Sequence, residues 1–593
     1  MAIRARTGGG QPAVTTEPGS RYKWVALTNT TMGALLVTID ASIMIIAMPD
    51  IFRGIRLDPL VPGNNTYLLW MILGYLVTSS VLVVSVGRLG DLFGRVRMYN
   101  LGFVIYTVAS LMLTIDWLTG RSGAVYLVAW RIVQGIGGAF LLGNSGAILT
   151  DAFPARQRGL ALGINNIAGI SGSFIGLILG GILAPISWRL VFLISVPFGI
   201  FGTVWAYLRL RDLSARSREP VDWLGNITFA AGIILVMVGV TQGIQPYGGH
   251  AMGWGSPRVI GFLAVGVVLL AAFVLVETRV AHPMFRLGLF KIRAFTFGTL
   301  STFLSALGRG GLMFMLIIWL QGIWLPQHGY TFDQTPFWAG IYMLPLTAGM
   351  LTAGPLSGYL SDRFGSRPFA TGGMLGAALS FVLLELLPIN FSYPVFALIL
   401  LLFGLSMGCF ASPNRAGVMN SLPAKDRGAG GGMNSTFMNS AQVFSLGIFF
   451  SLMIAGLAAT LPHTLSAGLI AHGVPVAAAH QISQQPPVSI LFASFLGYNP
   501  IQHLLGASVL NSLPAASVHL LTGRAFFPSL ISGPFRSGLN VAFGFSIAAC
   551  LIAAAASWSR GKRYVAPDQE SGGHELEEPD VTAEIETDVA TDA

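Results

Sequence analysis

The sequence predicts an all-α integral membrane protein, with two six-helix halves and two extra central helices, fourteen transmembrane helices in all. Three observations carry that expectation. Only 10% of the 593 residues are charged and 53% are hydrophobic, whereas a soluble chain carries about 25% charged residues. The apolar residues fall into fourteen runs, each near the roughly 20 residues a helix needs to cross a bilayer. Two short polar segments, Gly87–Arg95 (GRLGDLFGR) and Gly358–Arg367 (GYLSDRFGSR), repeat one another, each directly after such a run.

Taken in order, the runs are expected at 24–48, 67–87, 98–116, 125–149, 160–184, 190–209, 223–242, 258–277, 295–323, 337–360, 369–388, 393–413, 430–458 and 538–558. Two precede the first repeated segment and ten precede the second. A plain duplication of six helices would place eight there, so the surplus pair, the seventh and eighth, lies between the halves. The organisation is then a disordered end at 1–23, a six-helix bundle at 24–209, two linker helices at 210–294 and a second bundle at 295–558. An acidic disordered tail follows at 559–593, poor in aromatics. The second bundle contains an insertion at 459–537. Its apolar stretches, such as Ile490–Leu496, are too short and too broken by Pro and Gly to cross, and a small cap or interfacial helices are expected there, with a partner surface as one use.

An even number of crossings puts both ends on one side. Eighteen Lys and Arg fall on the loops of that side, Arg88, Arg95, Arg209, Arg286 and Lys425 among them, and seven fall on the opposite loops. The excess of positive charge marks the cytoplasmic side, so both termini are expected there. The net charge of +9 is scattered between apolar runs, which argues against a nucleic-acid partner. Cys409 and Cys550 both sit inside apolar runs and read as packing residues. No phosphate-cradling loop of the Walker type is present, which argues against an ATP-driven pump. The nine histidines show no metal-ligand spacing, and no nucleophile–base constellation suggests an enzyme.

A charge inside a span is expensive, so each one is a candidate functional residue. Asp40 lies midway along the first run, where burial favours the protonated carboxyl. It can therefore load and release a proton, or be paired permanently. Arg131 in the fourth run is its expected partner; Arg131, Gln134 and Gly138 share one helical face. Arg309 in the ninth run, beside Gly308, Gly310 and Gly311, could hold an anionic group or pair with a carboxylate. Glu385 lies near the end of its run and reads as a snorkelling side chain. Asp116, Arg189 and Glu277 sit at run ends, where charge costs little. Trp70 and Tyr75 are candidate cavity-lining aromatics; Trp319 and Trp338 read equally as interface anchors.

The repeated segments resemble the signature loop of the major facilitator superfamily, between the second and third helices of each half. Arg131–Ala139 (RIVQGIGGA) matches that family's RxxQGxGxA pattern, and Gly172–Gly181 (GSFIGLILGG) resembles the GxxxGPxxGG pattern of its exporters, with Leu177 in place of Pro. Further segments (Trp188–Pro197, Asp222–Gly225, His282-Pro283 before Leu289-Phe290, and Gly340–Pro345) are similar to the fourteen-span drug:proton antiporter branch. The resemblance covers about 24–458 and 538–558. It implies a proton-driven exporter of amphipathic drugs or other lipophilic molecules, without a cofactor, in a bacterial cytoplasmic membrane. Asp40 and Arg131 would handle the proton. Gln134, Trp70, Tyr75 and Arg309 would face substrate, and Gly172, Gly176, Gly180 and Gly181 would permit helix closure. Gly87, Asp91, Gly94 and Arg95 would form a cytoplasmic latch, although Leu92 and Val96 depart from the family's basic residues there. Asp362 and Arg363 would form a weaker second copy. Two other readings stay open: export of an endogenous lipid or cell-envelope precursor through the insertion, and a non-transporting sensor or assembly partner.

Overall fold

The computed structural model describes residues 21–61, 63–213, 222–281, 283–423, 426–497 and 499–561, apart from the side chains of residues 155, 156, 159, 362, 428 and 500. The expectations for 1–20 and for 562–593 lie outside the described residues, as do Arg216, Arg218, His282 and Lys425. Fourteen of the described helices are long and apolar enough to cross a membrane. In the first half these spans are Tyr22–Gly54, Asn64–Phe93, Arg95–Thr114, Gly120–Ala152, Leu160–Ile186 and Leu190–Arg209. The linker pair follows at Trp223–Gly243 and Pro257–Glu277. The second half holds Arg293–Gln327, Thr335–Ser361, Ser366–Leu386, Tyr393–Asn420, Ala429–Ala471 and Phe526–Ser559. Helices satisfy their own backbone polar groups, which hydrocarbon cannot do.

The halves repeat one packing scheme. The second and third spans pack along the fourth, as the tenth and eleventh pack along the twelfth. Each repeated segment makes its turn on a glycine in the left-handed region, Gly94 at φ 105° and Gly365 at φ 84°. A side chain is strained there, which explains the glycine in both copies. The eighth span has the highest mean hydropathy of the fourteen, 3.1, and the smallest buried share. It lies at the periphery, as a helix added to a complete bundle must.

The insertion departs from expectation at both edges. The thirteenth helix does not stop near 458 but runs unbroken from Arg427 to Ala471. Its 45 residues span about 68 Å at 1.5 Å per residue, twice the hydrocarbon thickness. The fourteenth begins at Phe526. Between them lie four short helices, Val476–Ser483, Pro487–Phe495, Pro500–Ser512 and Ala515–Leu521. Every residue of Pro487–Phe495 is buried, because this segment is apolar on all sides and has no polar face to leave in water.

That helix is wedged between the halves, on the face opposite the termini. Ser489 Oγ accepts from Asn65 Nδ2 of the second span at 3.0 Å. On the other side Ser494 Oγ donates to the Gly322 carbonyl of the ninth span at 2.8 Å. The Phe492 ring lies 5.5 Å from Phe450, and Phe495 lies 5.4 Å from Phe314. Nearby, Arg53 pairs with Asp333 at 2.8 Å. The fifth and tenth spans meet there as well, with the Gly340 position 3.0 Å from the Leu177 carbonyl once a Cβ is added. The Asn65–Ser489 hydrogen bond and the Arg53–Asp333 ion pair thus join one half to the other at this far face. Phe492→Ala should therefore destabilise by about 3–5 kcal/mol, the usual range for emptying a buried phenylalanine site. The check is thermal unfolding in detergent, with exposed Leu520→Ala as a control that should change little.

Candidate functional site

A closed polar network sits inside the first half, among residues that would otherwise pack apolar side chains. Asp40 is 0% exposed and Arg131 is 1% exposed. Arg131 Nη1 pairs with Asp40 Oδ2 and also donates to Gln134 Oε1 at 2.6 Å. Its Nε donates to the Met71 carbonyl at 3.2 Å. Gln134 Nε2 donates to Asp40 Oδ1 at 3.1 Å and to Ser110 Oγ at 2.9 Å. Both carboxylate oxygens are thus satisfied, one by charge and one by an amide. The guanidinium lies 4.5 Å from the centre of the Tyr75 ring, an attraction to the ring face added to the ion pair.

The local sequence explains the convergence. Arg131 and Gln134 stand one turn apart on the fourth span, so both reach the first span at one height. A Cβ at Gly135 would lie 2.7 Å from the Tyr75 carbonyl, and one at Gly137 would lie 2.7 Å from the Tyr106 nitrogen. Bare backbone at these positions lets the second and third spans close on the fourth. Tyr75 and Gln134, read from sequence as facing substrate, are 2% and 0% exposed and belong to this closed network. Trp70 is half-buried on the second span.

The fifth-span glycines press on the same stretch of the first span. Gly172 sits against Thr38, Gly176 against Ile39 and Ser42, and Gly180 against Ile43 and Ile46, so that any side chain would overlap them. Gly181 turns the other way and touches Phe337 of the second half. One glycine-lined helix therefore contacts both the segment that carries Asp40 and the opposite half. Leu177 is fully buried, and its carbonyl meets Gly340 across that join.

At the face of the termini, Arg95 Nη2 pairs with Asp91 at 2.9 Å, and Nη1 reaches both oxygens of Asp151 at 2.7 Å. All three residues belong to the first half. Gly87 packs against Gly143 of the fourth span, and Gly94 against Asp212. In the second copy Arg363 is exposed and lies 5.8 Å from the Phe364 ring; the Asp362 side chain lies outside the described residues. Asp151 carried no motif signal and was missed.

Two further groups stand in the second half. Arg309 is half-buried where Gly310 and Gly311 break the ninth span against Ser445 and Phe449. It has no hydrogen bond or ion pair among the described residues. Arg560, just past the last span, is buried and pairs through Nη2 with Asn414 Oδ1; Asn414 Nδ2 in turn donates to Thr302 Oγ1 at 2.8 Å. Burial pushes the Arg560 guanidinium down to about 10. This cluster was illegible in the sequence because its members are some 110 to 150 positions apart.

Two expected outcomes follow from this packing. Arg131→Leu strands a buried carboxylate and should destabilise by about 3–5 kcal/mol. Adding Asp40→Asn should recover part of that loss, and a double-mutant cycle of unfolding midpoints measures the coupling. Gly176→Val should lower folded yield and melting temperature, since its Cβ alone would lie 3.0 Å from Ser42 Cβ and closer still to the Ile39 carbonyl. Gly163→Val, on the same helix with nothing within 4 Å, should behave as wild type.

Comparison with known proteins agrees with this architecture. The Major Facilitator Superfamily model matches residues 30–225 and 221–446. The tetracenomycin C resistance and export protein of Streptomyces glaucescens is 28% identical over 443 residues, 74% of this chain and 77% of that one. The puromycin resistance protein of Streptomyces alboniger is 27% identical, covering 71% of this chain and 79% of that one. The riboflavin transporter RibZ of Clostridioides difficile is also 27% identical, covering 73% of this chain and 89% of that one. Among solved structures, a bacterial homologue of the human lysosomal transporter Spinster superposes with a TM-score of 0.57 at 15% identity, over 93% of this chain and all of that one. Two matching halves of six apolar helices, a linker pair between them, and a family model that matches through both halves place this chain in the major facilitator superfamily.

Proposed function

We propose that the protein is a proton-coupled antiporter that exports amphipathic drugs or other lipophilic small molecules across a bacterial cytoplasmic membrane. The observation that carries this reading is the position of Asp40. It is a buried carboxylate, paired with Arg131 and Gln134, on the stretch of the first span against which the fifth-span glycines pack. Protonating Asp40 removes the charge that holds Arg131, so proton binding and the packing of the first, fourth and fifth spans are linked. The halves touch at the far face, and the positive-inside rule makes the opposite face cytoplasmic. The conformation then fits one end of an alternating-access cycle. The resistance and export functions printed for two relatives support a drug-like cargo, and the riboflavin relative shows that cargo varies among similar chains. No cofactor is required, since the proton gradient supplies the driving force.

Uptake of a fluorescent lipophilic cation into inside-out proteoliposomes tests the reading. Under an imposed pH gradient, wild type should accumulate the dye and Asp40→Asn should lose at least tenfold in rate. Equal rates would move the coupling site elsewhere, and no uptake by wild type would remove lipophilic cations from the proposed cargo.

A further inference from the structure

A pair of buried acids lies outside the two halves. Asp222 precedes the seventh span and caps it, Oδ1 accepting from the Gly225 amide at 2.8 Å. Glu277 ends the eighth span, and its Oε2 accepts from the Phe285 amide at 2.8 Å. Glu277 was expected at a span end where charge costs little, but it is 4% exposed, and Asp222 is 7% exposed. Among the described residues, the remaining oxygens, Asp222 Oδ2 and Glu277 Oε1, accept no hydrogen bond. Both crowd the same point over Gly225, where an added Cβ would overlap the first and lie 2.9 Å from the second. Two carboxylates placed this way repel, and neither has a proton to give the other. One shared proton turns the clash into a hydrogen bond.

The surroundings offer that proton a path. Glu277 lines a cavity of about 500 Å³, together with Arg88 of the second span and Thr278, Pro283 and Arg286 of the connecting segment. The charged side chains that line this cavity with Glu277 are these two arginines, and Arg286 is held at 2.7 Å by Asp426, just ahead of the thirteenth helix. The pair also sits in a chain of contacts joining both halves. Asn226 donates to the Asp222 carbonyl at 2.6 Å and bonds Ser85 of the second span. Beyond Glu277, the Phe285 ring lies 5.6 Å from that of Phe437 of the thirteenth, tilted by 43°.

We propose that Asp222 and Glu277 form a proton-binding site of their own, sharing one proton at the join through which the linker helices tie the second span to the thirteenth. Loss of the proton places two negative charges in one buried spot and loosens the connecting segment from the seventh span. The site is separate from Asp40 and does not depend on what the protein carries.

The test is infrared difference spectroscopy of the full-length protein in detergent across a pH titration, with no substrate present. Wild type should show a protonated-carboxyl band that disappears at alkaline pH. Asp222→Asn and Glu277→Gln should each lose it, because either amide donates to the remaining carboxylate and abolishes the need for a proton. Asp40→Asn should keep it. Each amide preserves volume, so if one variant fails to fold the other carries the test. Absence of the band in wild type overturns the proposal. So does a band that survives in the folded Asp222 and Glu277 variants, or one lost in Asp40→Asn alone.

Discussion

The ion pair between Asp40 and Arg131 is the constraint on which the first half depends. A buried charge is tolerable only with a partner and a full set of hydrogen bonds, and that requirement fixes several helices at once. Arg131 must reach the first span, the Met71 carbonyl and Gln134 from a single position. The fourth span must therefore approach the second and third at backbone distance, which Gly135 and Gly137 allow. The fifth span must then lie close enough to the first to keep water out, which Gly172, Gly176 and Gly180 allow. Charge placement and small-residue placement are two sides of one arrangement.

The second half is built on the same helical plan without that pair. Its midpoint cation, Arg309, pairs with no carboxylate among the described residues, and its polar cluster lies instead near the end of the last span, at Arg560 and Asn414. The duplication preserved the scaffold and the glycine turns at Gly94 and Gly365, while the buried chemistry diverged.

Much of this was legible in the sequence. Fourteen runs, the six-two-six grouping and the two repeated turns follow from hydropathy and glycine placement, because lipid imposes length and internal hydrogen bonding on every span. The pairing of Asp40 with Arg131 was legible because two charges in apolar runs at similar depth have few other partners. The rest depended on tertiary neighbours. Nothing local marks Asp151 as the second partner of Arg95, or brings Asn414 to Arg560. Glu277 was misjudged for the same reason: its place at a helix end is visible, but the carboxyl of Asp222 packed on it is not. In the insertion, short broken apolar stretches were read as a small cap or as helices lying on a membrane surface. The physical alternative, burial on every side between two bundles, shows the same composition.

The wedge formed by Pro487–Phe495 separates this chain from a bundle sealed only by its own spanning helices. It is tethered to segments that project beyond the hydrocarbon, since the thirteenth helix alone is about twice as long as the hydrocarbon is thick. A ligand that holds the projecting part, such as an antibody fragment, therefore also holds the wedge in its place between the two halves.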